Sequence, residues 1–265
     1  MNFIKAYSNE NAVKVIAFAI NFNQILTIEE IQEIINNINA LSHFQKHFPR
    51  SEDQAEISVT VTPDGAPQQT ITKNGIVLHS SPKEEAPWVI NINKEIILIT
   101  CKEYTRWDTI SKIAYQHLQE LIRVIDKSVE IAQITLEYLD EFEITNPIEN
   151  WKAELFKKNN DYLSPNIYNL NDFWHINQGY FTKLPELDNK HLDTVNINYF
   201  SDEKDNLKHK VTIRIQHKLI IEFSVSIHAV DYITNCFEKL HIHSKETFEK
   251  IIHDKVLETF NRGTN

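Results

Sequence analysis

The sequence predicts an α+β protein with antiparallel sheets, arranged as two sheet-plus-helix halves, residues 1–146 and 147–265, which could also form one continuous domain. Three observations carry that prediction. Two long stretches, Ile28 to Leu41 and Trp107 to Ile125, repeat their apolar residues at helical spacing. Other runs alternate apolar and polar residues as a half-buried strand does, the longest of them between Val211 and Ile227. Turn signals such as Pro63-Asp64-Gly65 and Asn93-Lys94 join neighbouring strand candidates as hairpins.

The first strand is the apolar run from Val13 to Ile20. Thr27 then offers an N-cap side chain, and Glu30 three residues later completes a capping box. Ile28, Ile31, Ile34, Ile35, Ile38 and Leu41 make one face of the helix that follows, and Phe48-Pro49 closes the segment. Ile57 to Thr62 and Ile71 to His79 are strands on either side of the Pro63 turn. After the loop from Ser81 to Pro87, Trp88 to Ile92 and Ile96 to Cys101 form a hairpin. A second long helix starts near Thr105, with Asp108 in its first turn and Trp107, Ile110, Ile113, Ala114, Leu118, Leu121, Val124 and Ile125 facing inward. Ile131 to Phe142 is a further strand, and Asn146-Pro147 breaks the chain. Without its extra hairpin strands, this order resembles a ferredoxin-like sandwich with helices on one face of an antiparallel sheet.

The second half reads as a β-meander with a C-terminal helix. A short helix near Trp151 to Lys157 leads through a polar segment to strands around Phe173 to Lys183 and Thr194 to Phe200. From Val211 to Ile227 the apolar residues fall at odd positions. A single strand of that length would run about 56 Å, so a hairpin with an odd loop at Gln216-His217-Lys218 is expected. The last helix runs from about Ser244 to Phe260, with Ser244 as its cap and Phe248, Ile251, Ile252, Val256 and Phe260 inward.

Composition excludes several function classes. Only four of 265 residues are glycine, which argues against phosphate-cradling and dinucleotide-binding turns. The formal charge of −10 repels nucleic acid at long range. Two distant cysteines, Cys101 and Cys236, make no disulfide framework and sit in apolar surroundings that suit inert core thiols. No signal-peptide pattern and no apolar run of about 20 residues occurs, so a cytoplasmic protein without membrane contact is expected. GxSxG, HExxH and P-loop motifs are missing, so no catalytic residue, metal site or cofactor is assigned.

Three segments carry a family resemblance. Trp88 to Thr100 followed by Tyr104-Thr105-Arg106-Trp107 resembles a strand pair leading to a tyrosine-x-x-tryptophan helix start. Leu136-Glu137-Tyr138-Leu139-Asp140 is similar to a leucine-arginine-tyrosine-x-asparagine/aspartate strand. Leu240-His241, with Phe248 seven residues on, resembles a leucine-histidine entry into a C-terminal helix. Together they resemble a sporadically distributed family of uncharacterised bacterial proteins of similar length, and Glu137 departs from its arginine. The resemblance implies a bacterial cytosolic protein of mobile or defence-related gene islands.

Four places could carry chemistry. Tyr104, Arg106 and Trp107 open the second long helix, whose free N–H groups favour an anion or peptide carboxylate; the plainer reading buries Trp107 and leaves Arg106 in water. His241-x-His243 with His253 would offer two imidazoles on one face if the segment were a strand, but divergent ones on a helix. Lys210, Arg214 and Lys218 share one face of the 211–227 region and form the single basic strip, a face that a solvated sheet also explains. Glu137, Asp140, Glu141 and Glu143 suggest an acidic sheet edge.

The expected function is accordingly a non-enzymatic binding protein, regulatory or chaperone-like, with a protein partner or self-association. Tyr104, Arg106, Trp107, Arg214 and His241 are its candidate binding residues. A metal-assisted hydrolase or nuclease using Glu137 and His241, and a nucleic-acid binder using the Arg214 face, are the alternatives.

Overall fold

The structure, a computed structural model, describes residues 3–8, 10–61, 67–145, 150–170, 173–184, 187, 189–202 and 208–261. Its strands are β1 (Ile4–Ala6), β2 (Val13–Phe22), β3 (Arg50–Val61), β4 (Pro67–His79), β5 (Trp88–Asn93), β6 (Ile96–Cys101), β7 (Ile131–Ile144), β8 (Trp174–Leu184), β9 (Asn189–Asp202) and β10 (Lys208–Ile220). Its helices are α1 (Ile28–Ala40), α2 (Ser42–His47), α3 (Trp107–Ile122), α4 (Trp151–Leu155), α5 (Val230–Ile251) and α6 (Asp254–Asn261), with a 3-10 turn at Pro165–Asn169. The Pro63-Asp64-Gly65 turn and the Asn146-Pro147 break lie outside the described residues.

Among the described residues the ten strands form one sheet in the order β3-β4-β5-β6-β2-β7-β10-β9-β8, with β1 added beside β7. Every pairing is antiparallel. The α+β class and antiparallel sheet predicted from the sequence are therefore present.

Local signals explain the elements. Thr27 caps α1 reciprocally with Glu30: the Thr27 hydroxyl accepts from the Glu30 N–H at 3.2 Å, and the Glu30 carboxylate accepts from the Thr27 N–H at 2.7 Å. Ile31, Ile34, Ile35 and Ile38 are buried beneath it. On the sheet, even positions of β2 (Ile16, Phe18, Ile20) and β7 (Ile134, Leu136, Tyr138) and odd positions of β6 (Ile97, Ile99, Cys101) face the same core as α1, α3 and α5. Cys101 and Cys236 are both free and buried there.

A second cluster lies under α4 and the end of α5, around Phe142, Trp151, Phe156, Val195, Ile213 and Ile252. Both clusters draw on residues from either side of position 147. The first takes Leu219, Ile227, Ile233, Phe237 and Leu240, and the second takes Ala12, Phe142 and Ile144.

Three expectations need correction. Residues 211–227 are not a hairpin turning at Gln216-His217-Lys218: those residues lie inside β10, which pairs over His209–Ile220 with β7 and over Lys208–Ile220 with β9. Two long neighbours support a 13-residue strand that sequence length statistics disfavour. The helix expected from Ser244 to Phe260 is divided between α5, which ends at Ile251, and α6, which begins at Asp254, and no helix begins at Ser244. Instead α5 starts at Val230, fourteen residues earlier, and Ser244 is buried in its interior rather than capping an end. Finally, β7 is no edge. It lies between β2 and β10 at the centre of the sheet, and β3 and β8 are the outermost strands.

Candidate functional site

β7 alternates its side chains between the two faces of the sheet, so Tyr138 and Asp140 point inward towards α5 while Glu137 points to the opposite face. Where β2 meets Asp140 the register shifts between Val13 and Val15. A bulge at this point re-aims the neighbouring chain, and Asn11, Ala12 and Val13 form one wall of a cleft of about 890 Å³. The start of α3 (Tyr104 to Asp108) supplies a second wall, and His241, Ser244, Lys245 and Phe248 of α5 a third.

The polar groups of this cleft are held by defined contacts. Tyr138 Oη and His241 Nδ1 share a hydrogen bond of 2.8 Å. The His241 ring lies flat on Trp107, 4.1 Å between centroids and 9° between planes, and Phe18 packs on Trp107 at 5.7 Å. The Trp107 indole N–H donates to Glu238 at 2.7 Å, and the Tyr115 hydroxyl donates to the other oxygen of the same carboxylate at 3.0 Å, which ties α3 to α5. Tyr104 meets Tyr138 edge to face at 6.0 Å. Burial keeps these groups neutral: it pushes His241 down to about 4, Tyr104 up to about 12 and Tyr138 well above its ordinary value.

Asp140 stands apart. It is 3% exposed, lines the cleft, and among the described residues no hydrogen bond or ion pair reaches its carboxyl. Burial alone raises it to about 8.

Four of the five candidate binding residues, Tyr104, Arg106, Trp107 and His241, therefore meet at one cleft. Trp107 is half-buried against the core and Arg106 is solvated, 3.4 Å from Asp108. The anion reading of the α3 start is weakened accordingly, because Asp108 already sits at that helix terminus.

Arg214 does not join the cleft. It lies on the other face of the sheet, 3.6 Å from Glu137, which also accepts from Gln216 Nε2 at 2.7 Å. Lys14 and Lys210 likewise face Glu141, at 2.7 and 3.6 Å. Lys210 and Arg214 of the basic strip are matched by carboxylates of β7, and Glu137 and His241, the residues a metal-assisted hydrolase would draw on, are separated by the sheet.

The histidine pair also divides. On α5, His241 turns to Trp107, whereas His243 turns to His191 and His217, at 5.7 and 6.5 Å between centroids. His191 Nε2 and His217 Nδ1 share a 2.9 Å hydrogen bond, and Asp193, which accepts from the Tyr162 hydroxyl at 2.9 Å, lies 3.8 Å from His217. Burial lowers both His191 and His217. No group of three or more His, Cys, Asp or Glu among the described residues is arranged to hold a metal ion.

Sequence reasoning read Asp140 as part of an acidic sheet edge rather than as a site residue, and it missed Glu238. For Asp140 the signal was present: Ile134, Leu136, Tyr138, Phe142 and Ile144 share its parity and are all buried, which marks position 140 as inward. No comparable signal marks Glu238, because its two donors come from a helix over 120 residues away in the chain.

No helix among the described residues is long and apolar enough to cross a membrane. No model of a known protein family matches the chain, and no curated protein matches it at a significant level.

Proposed function

We propose that the protein is a non-enzymatic binding module, regulatory or chaperone-like in role, which takes a segment of a protein partner into the cleft between α3, β7 and α5. The observation that carries this reading is the cleft itself. It combines apolar walls (Phe248, Leu257, Phe260) with a few polar groups held in place by Tyr138–His241 and Trp107–Glu238 contacts, the composition of a preformed binding pocket. Free edges at β3 and β8, with Tyr180 and Phe181 exposed on β8, offer a partner chain a further hold by strand addition.

The family resemblance fits this reading. Tyr104-x-x-Trp107, Tyr138-x-Asp140 and His241 with Phe248 are far apart in the chain, yet all contribute to the cleft wall, which supports treating them as one shared binding surface in a bacterial accessory system. The order β7-β2-β6-β5, with α1 and α3 as the crossovers, supports a ferredoxin-like first half. The sequential pairing of β8, β9 and β10 supports a meander before the terminal helices.

The test is a pull-down from bacterial cytosol with three baits: the wild-type chain, Trp107→Ala and Arg214→Ala. A stoichiometric partner should be held by wild type and by Arg214→Ala and lost by Trp107→Ala. His241→Gln, which leaves Tyr138 a hydrogen-bonding neighbour, replaces Trp107→Ala if that variant does not fold. A partner retained equally by every bait would remove the cleft from the function.

A further inference from the structure

We propose that the group recognised at the bottom of this cleft is an organic cation, the ammonium or guanidinium of a lysine or arginine side chain on the partner, with the Asp140 carboxylate as its counter-ion. The inference rests on the cleft-binding reading and adds the chemistry of what binds.

Its foundation is the isolation of Asp140. A carboxyl nine-tenths or more buried is normally paired or hydrogen-bonded, because giving up most of its water without a replacement is costly. At 3% exposure Asp140 has neither, and it lines the cleft. A ligand that brings a positive donor supplies what the chain does not.

The charges around it point the same way. The two cations at the rim are already engaged, Arg106 with Asp108 at 3.4 Å and Lys245 with Glu249 at 3.9 Å. Glu10 and Asp140 are the remaining acidic groups of the lining, and His241 is held neutral by burial. An anion would find no unmatched cation here.

The shape fits a long basic side chain rather than a bare ion. Tyr104, Phe248, Leu257 and Phe260 are half-buried apolar surfaces on the way to Asp140, and an alkyl stem lies well against such surface while its charged head reaches a polar group. When the carboxyl is protonated before binding, its proton passes to solvent as the cation enters: Asp140–COOH and R–NH3⁺ give the ion pair and one H⁺.

The experiment titrates the full-length chain with four short peptides that differ at one central residue: lysine, arginine, norleucine or glutamate. Isothermal calorimetry is run in two buffers of different ionisation enthalpy. The lysine or arginine peptide should bind, release protons, and bind roughly tenfold or more weakly to Asp140→Asn, the loss expected for one charge-assisted hydrogen bond. Asp140→Asn keeps size and hydrogen-bonding capacity, and circular dichroism checks that it folds.

Equal binding of the norleucine or glutamate peptide, unchanged affinity in Asp140→Asn, or no binding of any peptide across the millimolar range overturns the proposal. If the norleucine or glutamate peptide binds and Trp107→Ala abolishes it, the cleft reading stands and only the cation falls. If none binds and the captured partner is indifferent to Trp107→Ala, both fall.

Discussion

A carboxyl at an inward position of a central strand keeps little contact with water, and at Asp140 the chain returns neither a cation nor a hydrogen-bond donor, leaving it only the cleft. Its folded pKa of about 8 lies above the ordinary 3.8. The stability it allows is therefore fully present below 3.8, is lost progressively as pH rises from 3.8, and is gone once pH passes 8; at pH 7 the loss is roughly 4 kcal/mol. Buried His117, His191, His217 and His241 have the opposite sign. Their folded values lie below 6.5, at about 4 for His117, His191 and His241, so their stability is present above 6.5 and falls away as pH drops below it. Together they predict a stability maximum near pH 6.5. Urea midpoints from pH 4 to 9 should peak there, and Asp140→Asn should flatten the fall above pH 6.5 and steepen the rise below it. A variant less stable than wild type at pH 8 would contradict the assignment of Asp140 as the destabilising group.

Two elements have features that single substitutions can probe. Thr27→Ala removes the hydroxyl half of the α1 capping box and should cost about 1 kcal/mol in urea unfolding; no measurable change would mean that the helix end is held by packing alone. Gly75 sits on β4 beside the register shift at Gln54/Ala55. A Cβ there would come within 2.5 Å of the Ile92 carbonyl oxygen and 2.9 Å of the Asn93 Cβ. Gly75→Ala must push β4 and β5 apart, and a loss of about 1–3 kcal/mol is expected in the same assay. Elements like α1 were legible because cap and stripe are local. α5 was half-legible: its inward stripe of Ile233, Cys236, Phe237 and Leu240 continues through Ser244 and Thr247, and two small polar residues at core positions make one helix read as a helix start.

At the scale of the molecule, β7 and β10 join the two halves. They pair from His209 to Ile220, and α5 closes the core formed by β2, β6 and β7. A fragment of residues 1–146 would lose β10 from one side of β7 and α5 from the face of the sheet. It should elute from size exclusion as aggregate, and the full chain should unfold in a single thermal transition. A monodisperse, folded fragment would show that the first half supports itself.

The sequence by itself determined the α+β class, the antiparallel hairpin of β5 and β6, the capped α1 and the inward face of α3. It also picked out Tyr104, Arg106, Trp107 and His241, because each of these signals is periodic or local. Only the tertiary structure decided that β7 is central rather than an edge, that residues 216–218 continue a strand, and that Arg214 lies across the sheet from the other candidates. It alone brought Trp107, Tyr138, Asp140 and His241 to one cleft. The physical reason is that strand order and helix docking are set by contacts between residues far apart in the chain. Whether a carboxyl at position 140 meets water, a cation or nothing depends on which surfaces those contacts close over it.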